Sequence, residues 1–353
     1  MAFISTKYRP VFTGEAMPRL TTLYRAETLY TSMPRTMHRH EDVAEFILIT
    51  EGSGIHIIDG QRYYTQKGDL LLIGQGVVHD ESSPANRNLS IYSGAIRNLR
   101  LPELPAGQFL TQDVLPVQKT EELFPAFCHL LELMYRGAQG KGCHPEESIN
   151  HLLCALLLLT MEVTSRSIVL PPEEHNLMDA VRSRLDASYD ETITLAALAR
   201  EFHISSFHLA HAFKAAYGYA PLQYITRRRI GEAQTLLIDT ALPITEIAIR
   251  TGYNSSSYFN KAFHKITGMS PRDYRKAYRK IYGHAQKNRS NERFFVLGIW
   301  HFYQYLTQTA PFLADSTHFS THLTPSAPAW TSGYQKSAFS PLLAFSMAMA
   351  KRR

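Results

Sequence analysis

Four side chains in the first quarter of the chain are of types that can hold a divalent metal ion: His38, His40, Glu45 and His79. Imidazole nitrogen and carboxylate oxygen on facing strands suit Fe(II), Mn(II) or Zn(II). The same four residues could equally line a polar pocket for a small molecule, or lie on its rim. Far along the chain, two clusters offer a different chemistry. Ser206, Phe207, His208, His211 and Lys214 form the first, and Ser256, Ser257, Asn260 and Lys261 the second. Placed on helices, with Ala210, Tyr258 and His264 beside them, they supply hydrogen-bonding groups, positive charge and apolar surface for a thymine methyl, with no acid among them. A helix face exposed only to water normally mixes Glu with Lys.

Charge is divided along the chain in a way that matches these two chemistries. The whole chain of 353 residues has a formal net charge of +6, with 44% hydrophobic and 19% charged residues, the profile of a globular protein long enough for two domains. Residues 1–175 hold 15 Lys/Arg against 20 Asp/Glu, residues 176–282 hold 15 against 9, and residues 283–353 hold 7 against 2. A basic domain lowers the free energy of meeting a polyanion, because phosphate contacts release condensed counterions. Cys128, Cys143 and Cys154 form no C-x-x-C pair, so neither a zinc module nor a disulfide framework is expected. The first twenty residues hold no continuous apolar run, and Leu152 to Val163 is too short and interrupted to span a bilayer. A cytoplasmic location with no membrane partner is the expectation.

The acidic front half reads as β-rich. Phe46 to Ile49, Ile55 to Ile58, Arg62 to Thr65 and Leu70 to Ile73 are strand-like runs separated by turn residues. Asp59-Gly60 is a two-residue hairpin signal, since glycine supplies positive φ. Short strands at this rhythm imply a small barrel or sandwich. From residue 120 the period changes to that of helices: Leu123, Phe127, Leu130, Leu131 and Met134 share one face, and Ile149, Leu152, Leu153, Leu156, Leu157 and Met161 another. This pair either covers the barrel or forms a seam between two chains, because periodicity marks a buried face but not what buries it. Pro171-Pro172-Glu173-Glu174 reads as a linker.

Residues 176–282 contain an internal repeat. Leu198-Ala199, Leu209, Ala212-Phe213, Gly218, Pro221 and Tyr224 recur as Ile247-Ala248, Phe259, Ala262-Phe263, Gly268, Pro271 and Tyr274. The offset is 49 before the turn and 50 after it, so the second copy has one extra residue there. Each copy reads as a short apolar helix, a tight turn, a serine cap (Ser205; Ser255 or Asn254), a second helix, and a glycine that closes it. Helix, turn and helix make the unit whose second helix can enter a major groove.

The second copy, Ile244-x-x-Ile247-Ala248, Gly252-Tyr253, Tyr258-Phe259-x-Lys261-x-Phe263-x-Lys265-x-x-Gly268-x-Ser270-Pro271-x-x-Tyr274-Arg275, resembles the signature of the AraC/XylS family of bacterial transcription regulators. The front half is similar to that family's cupin-like effector domain, through His38-x-His40, Gly52-Ser53-Gly54, Asp59-Gly60 and Gly68-Asp69. The resemblance implies an α+β protein of two domains. Residues 1–119 would be the cupin-like barrel, 120–170 a helical dimerisation or cover segment, 171–176 a linker, and 177–280 a tandem helix-turn-helix domain with a long helix, Leu222 to Leu237, between its units. It implies base contacts from Phe207 and His211 in the first unit and from Ser256, Ser257 and Lys261 in the second. Histidine stands at 211 where the family usually has arginine. It further implies a small-molecule effector, duplex DNA, RNA polymerase and a second copy of the chain as partners, activation rather than repression, and no catalysis or cofactor. The spacing of His38, His40, Glu45 and His79 also resembles the cupin metal set, which keeps open an alternative, a metal-dependent enzyme fused to a DNA-targeting module. Gly74 stands where the second cupin motif has proline, and the expected asparagine after His79 is absent. The tail, 281–353, falls outside the family pattern; it reads as a disordered segment, one that folds back, or the product of a shifted frame.

Overall fold

The computed structural model describes residues 10–14, 17–26, 35–83, 86, 88–140, 144–167, 176–286 and 295–297. The front half is built from β1 (Arg19–Ala26), β2 (Ala44–Glu51), β3 (Ser53–Ile58), β4 (Gln61–Gln66), β5 (Asp69–Ile73), β6 (His79–Asp80), β7 (Ser90–Arg97) and β8 (Val117–Lys119), joined by β9 (Phe295–Leu297) from the tail. One sheet runs β8-β5-β2-β7-β1-β9 and the other β4-β3-β6. Pairing is antiparallel except where β9 lies parallel to β1.

Strand β2 is the axis of this half, buried at every residue from Ala44 to Ile49. Side chains alternate across a strand. Ile47 and Ile49 therefore share a core with Leu71, Ile73 and Ile91 of their own sheet and Ile58 of the facing one, while Phe46 and Leu48 pack on the opposite side. Glu45 is in phase with Ile47, which aims a carboxylate into the space between the sheets. The Asp59-Gly60 turn is as expected, with φ of 49° and 80° closing the β3–β4 hairpin. Strand β1 escapes a search for alternation because a bulge between Leu20 and Thr22 shifts its phase.

Helices α1 (Phe124–Ala138) and α2 (Pro145–Ser165) cover the outer face of the larger sheet. By length and composition α2 could cross a membrane, but Ile149, Leu153, Leu156 and Leu157 are buried in one cluster with Leu20, Leu23, Phe46 and Leu48. Leu153 and Leu157 are 0% and 1% exposed within the single chain. They are therefore sheet-facing core residues rather than the surface of a seam. The large apolar side chains these helices leave outside are Leu133 and Leu158.

The back half is helical: α3 (Leu177–Ala187), α4 (Leu195–Glu201), α5 (Ser206–Tyr217), α6 (Pro221–Asp239), α7 (Ile244–Arg250), α8 (Ser256–Thr267) and α9 (Pro271–Gln286). Its repeat folds into two cores, Leu198, Leu209, Phe213 and Tyr224 in one and Ile247, Phe259, Phe263 and Tyr274 in the other. Residues 171–175 of the expected linker, Cys143, and nearly all of the tail beyond Gln286 lie outside the described residues. Both expected domains fall in one compact unit, Met1–Thr307.

His56, on β3, is 3% exposed and its Nδ1 is 2.9 Å from the Thr65 hydroxyl. Burial pushes its pKa down to about 4, with the neighbouring His79 adding to the effect. The unfolded chain, where histidine titrates near pH 6.5, then takes up the proton first. The contribution of His56 is thus complete above about pH 6.5 and is lost as pH falls towards 4, at most about 3 kcal/mol. Urea unfolding across this range should show wild-type stability falling more steeply than that of His56→Gln. Parallel profiles would show that His56 does not titrate with folding.

Candidate nucleic-acid interface and sensor site

The two candidate recognition helices begin and end alike. Ser205 accepts a hydrogen bond from the His208 amide at 3.1 Å, and Ser255 accepts one from Tyr258 at 3.4 Å. Gly218 and Gly268 close the helices with φ of 77° and 74°. Leu209 and Phe213 face inward from α5, and Phe259 and Phe263 from α8. The opposite faces are open. Phe207, His208, His211 and Lys214 are exposed on α5, with Ser206 half-buried, and Ser256, Ser257, Asn260 and Lys261 are exposed on α8. The Phe207 and His211 rings lie 4.3 Å apart, a flat apolar and polar pair at the surface.

What fixes one unit against the other is Arg229, on α6. Its guanidinium donates to three carbonyl oxygens: Tyr189 at 2.5 Å, Glu191 at 2.6 Å and Gly252 at 2.8 Å. The first two belong to the loop before α4, and the third to the turn of the second unit. Gly252 has φ of 78°, and a β-carbon there would collide with the Asp190 carbonyl. The spacing of the two recognition helices thus rests on one arginine and one glycine as well as on the long helix. Sequence reasoning missed Arg229, because an arginine run in a basic domain reads first as phosphate-binding.

In the front half the structure brings His38, His40, Glu45 and His79 together, one ligand atom from each lying within 4.8 Å of all the others. Backbone pairing makes this possible: His38 and His79 exchange two 2.9 Å hydrogen bonds across a bridge. His38 and His79 place Nδ1 3.0 and 3.1 Å from the Thr36 and Val77 carbonyls, which only accept, so each Nδ1 carries a proton. Their Nε2 atoms are buried without a hydrogen bond, as is Oε2 of Glu45. Oε1 of Glu45 accepts from Ser93 at 2.7 Å, which orients the carboxylate, and Oε2 is 3.3 Å from Nε2 of both His40 and His79.

Burial and the charge of Arg35 hold His38 well below its ordinary pKa, so it is neutral. Burial opposes charge on His79 and Glu45 too, but it is outweighed. Glu45 raises the pKa of His79, and the imidazoles of His40 and His79 hold Glu45 well below the carboxylate range. Glu81, which sequence reasoning also missed, has a carboxylate oxygen 3.9 Å from His79 Nε2, and burial beside Glu45 pushes its pKa up to about 7.

The segment carrying His38 rests directly on α6. A side chain at Gly231 would run into the Met37 and Thr36 carbonyls. Gln234 accepts from the Thr36 amide at 3.0 Å, and its amide group donates to the Tyr274 hydroxyl of α9 at 3.0 Å. Asp80, next to His79, accepts from Thr36 Oγ1 at 3.2 Å and from Arg227 of α6 at 2.9 Å. A second contact joins the hairpin to α3, where Arg182 donates to Asp59 at 2.5 Å.

A family model described as an AraC-like ligand binding domain matches residues 22–157, and one described as a helix-turn-helix domain matches residues 198–277. The arabinose operon regulatory protein of Escherichia coli is 30% identical over 237 residues, 65% of this chain and 78% of that protein. The HTH-type transcriptional activator RhaR of Mannheimia succiniciproducens is 24% identical over 257 residues, 70% and 89% of the two chains. Among solved structures, the DNA-binding domain of AdpA in complex with a target DNA is 29% identical, with a TM-score of 0.29, covering 30% of this chain and 94% of that one.

The caps give a direct test of how the first recognition helix is held. Ser205→Ala removes the acceptor for the His208 amide and is expected to lower stability by about 1 kcal/mol. The urea midpoint should fall with an unchanged slope, and an unchanged midpoint would mean that water caps the helix equally well.

Proposed function

The chain belongs to the AraC family of transcription regulators, and from that premise we propose that each chain reads two successive major grooves on one face of duplex DNA, about 10 bp apart. It is a DNA-binding transcription regulator with an effector-binding N-terminal domain. The observation that carries the finer reading is the pair of capped helices with acid-free exposed faces, held at one spacing by Arg229. Base contacts fall to Phe207, His208 and His211 on α5 and to Ser256, Ser257, Asn260 and Lys261 on α8, with Ser206 and Lys214 at the edges. Activation through RNA polymerase accords with the activator among the relatives, and the setting is cytoplasmic. The small-molecule effector is assigned to the front half around His38, His40, Glu45 and His79, as a ligand and not a substrate.

We further infer a homodimer through α1 and α2, using the outward Leu133 and Leu158 rather than the sheet-facing leucines. Two chains then present four recognition helices, and an effector can act by favouring one dimer arrangement.

Footprinting on a selected site should show two protected grooves per chain, and a single protected groove would overturn the reading. On the same site Lys261→Ala should weaken binding by about 1–3 kcal/mol if the ammonium meets a base. Equal weakening on all sequences would make it a phosphate contact. Sedimentation of wild type should give a dimer at micromolar concentration, and Leu133→Glu with Leu158→Glu a folded monomer. A double variant that stays dimeric would remove this face from the interface.

A further inference from the structure

We propose that His38, His40, Glu45 and His79 bind one divalent first-row transition metal ion, and that α6 reads its occupancy through Thr36 and Asp80. The proposal rests on the reading of the front half as the effector domain and names the ligand's chemistry.

The cluster lacks partners for its inward-facing atoms. The Nδ1 protons of His38 and His79 are committed to backbone carbonyls, so Nε2 is the nitrogen each can offer to an ion, which on His79 takes the place of a proton shared with Glu45. The inward oxygen of Glu45 is also an acceptor, and its other oxygen is taken by Ser93. These atoms converge on one buried point, where none of them makes a hydrogen bond and the nearest approach is the 3.3 Å between the inward oxygen of Glu45 and Nε2 of His40 and His79. Buried polar atoms left in this way are costly. A cation satisfies all of them at once. Three imidazoles and a carboxylate are a donor set for Zn(II), Mn(II), Fe(II) or Co(II), whose ligand bonds are about 2.0–2.2 Å. Donors on a common ion then lie about 3.4 Å apart in a tetrahedral site and at most about 4.4 Å apart across an octahedral one, so the 4.8 Å spread of the cluster closes by roughly 0.4 to 1.4 Å on binding. The outer partners that metal-bound histidines and carboxylates require are already in place at Thr36, Val77 and Ser93. Of the four ligands His40 is the most open, its side chain 20% exposed, which leaves an entry path.

The connection to DNA follows from backbone continuity. An ion held by both His38 and His79 staples the two segments that carry Thr36 and Asp80. Those residues hold Gln234 and Arg227 of α6, the helix that joins the two recognition units. Without the ion these segments are joined by the His38–His79 bridge, the Glu81 amide on the Arg35 carbonyl, the Thr36–Asp80 hydrogen bond and the pairing of Glu45 with His40 and His79, and the ion adds a bond from each segment to one common centre.

The test uses the full chain, freed of metal by chelator and titrated with Co(II) under visible absorption, followed by displacement with Zn(II). We expect one ion per chain, with ligand-field bands of low coordination number. His40→Ala and Glu45→Gln, each checked for folding by thermal unfolding, should weaken uptake at least about 100-fold. The more exposed His40 provides the variant whose fold is least at risk. No saturable uptake by wild type at micromolar metal, or uptake unchanged in both variants, overturns the site. DNA affinity is then compared with Zn(II) and with chelator. We expect a several-fold difference in wild type that is lost in Arg227→Met, which keeps its Co(II) uptake. Metal binding with unchanged DNA affinity overturns the coupling. Failure to bind DNA in both conditions overturns the regulator reading instead, and the Co(II) titration, which needs no DNA, still decides the site.

Discussion

Arg228 is the largest fully buried side chain among the described residues, and a guanidinium that water cannot reach has to be paired. Its partners come from several places. Asp186 of α3 lies 3.5 Å from its Nε, Glu232 of α6 is 3.6 Å away, the Met37 carbonyl of the front half is 3.5 Å away, and the Tyr189 ring packs 4.8 Å from its centre. Separating the halves would strand part of this charge in the interior. Asp186 in turn accepts from the Tyr224 hydroxyl, which ties the same charge to the first helix-turn-helix core. The separations are long, and Nε and Nη2 have no hydrogen-bond partner. The arrangement is therefore better at fixing orientation than at adding stability, as buried ion pairs often are.

The neighbouring arginines extend the same logic. Arg227 reaches the sensor half at Asp80, Arg228 is spent at the junction, and Arg229 clasps the two DNA-binding units. The positive balance of residues 176–282 thus overstates the charge available to phosphate. Composition identified the right domain, but it could not separate cations that face a ligand from cations that organise the domain.

How far the sequence could be read depended on whether a residue's role is set by its near neighbours. Serine caps, closing glycines and the Leu209/Phe213 and Phe259/Phe263 stripes are local, so the helix-turn-helix repeat was legible almost to the residue. The Asp59-Gly60 hairpin was legible for the same reason. The bulge hid β1, and the periodicity of α2 gave its buried face without saying that a sheet of the same chain covers it. The metal-type residues were found by spacing, but Ser93, Thr36 and Glu81 gain their meaning only from the pairing of distant strands. The packing of both halves into one unit was invisible, because Gly231 and Gln234 look like ordinary positions within a helix.

Gly231 makes that joint unusual as a point of exchange between proteins. The atom facing it is the main-chain oxygen of Met37, which every amino acid carries. No replacement of the Met37 side chain can therefore make room for a larger residue on the helix. In a chimera that grafts a foreign reading head onto this sensor, the incoming long helix has to bring its own glycine in the same register. The exposed recognition faces are under no such steric demand, so this architecture can change what it reads while keeping the joint through which it is instructed.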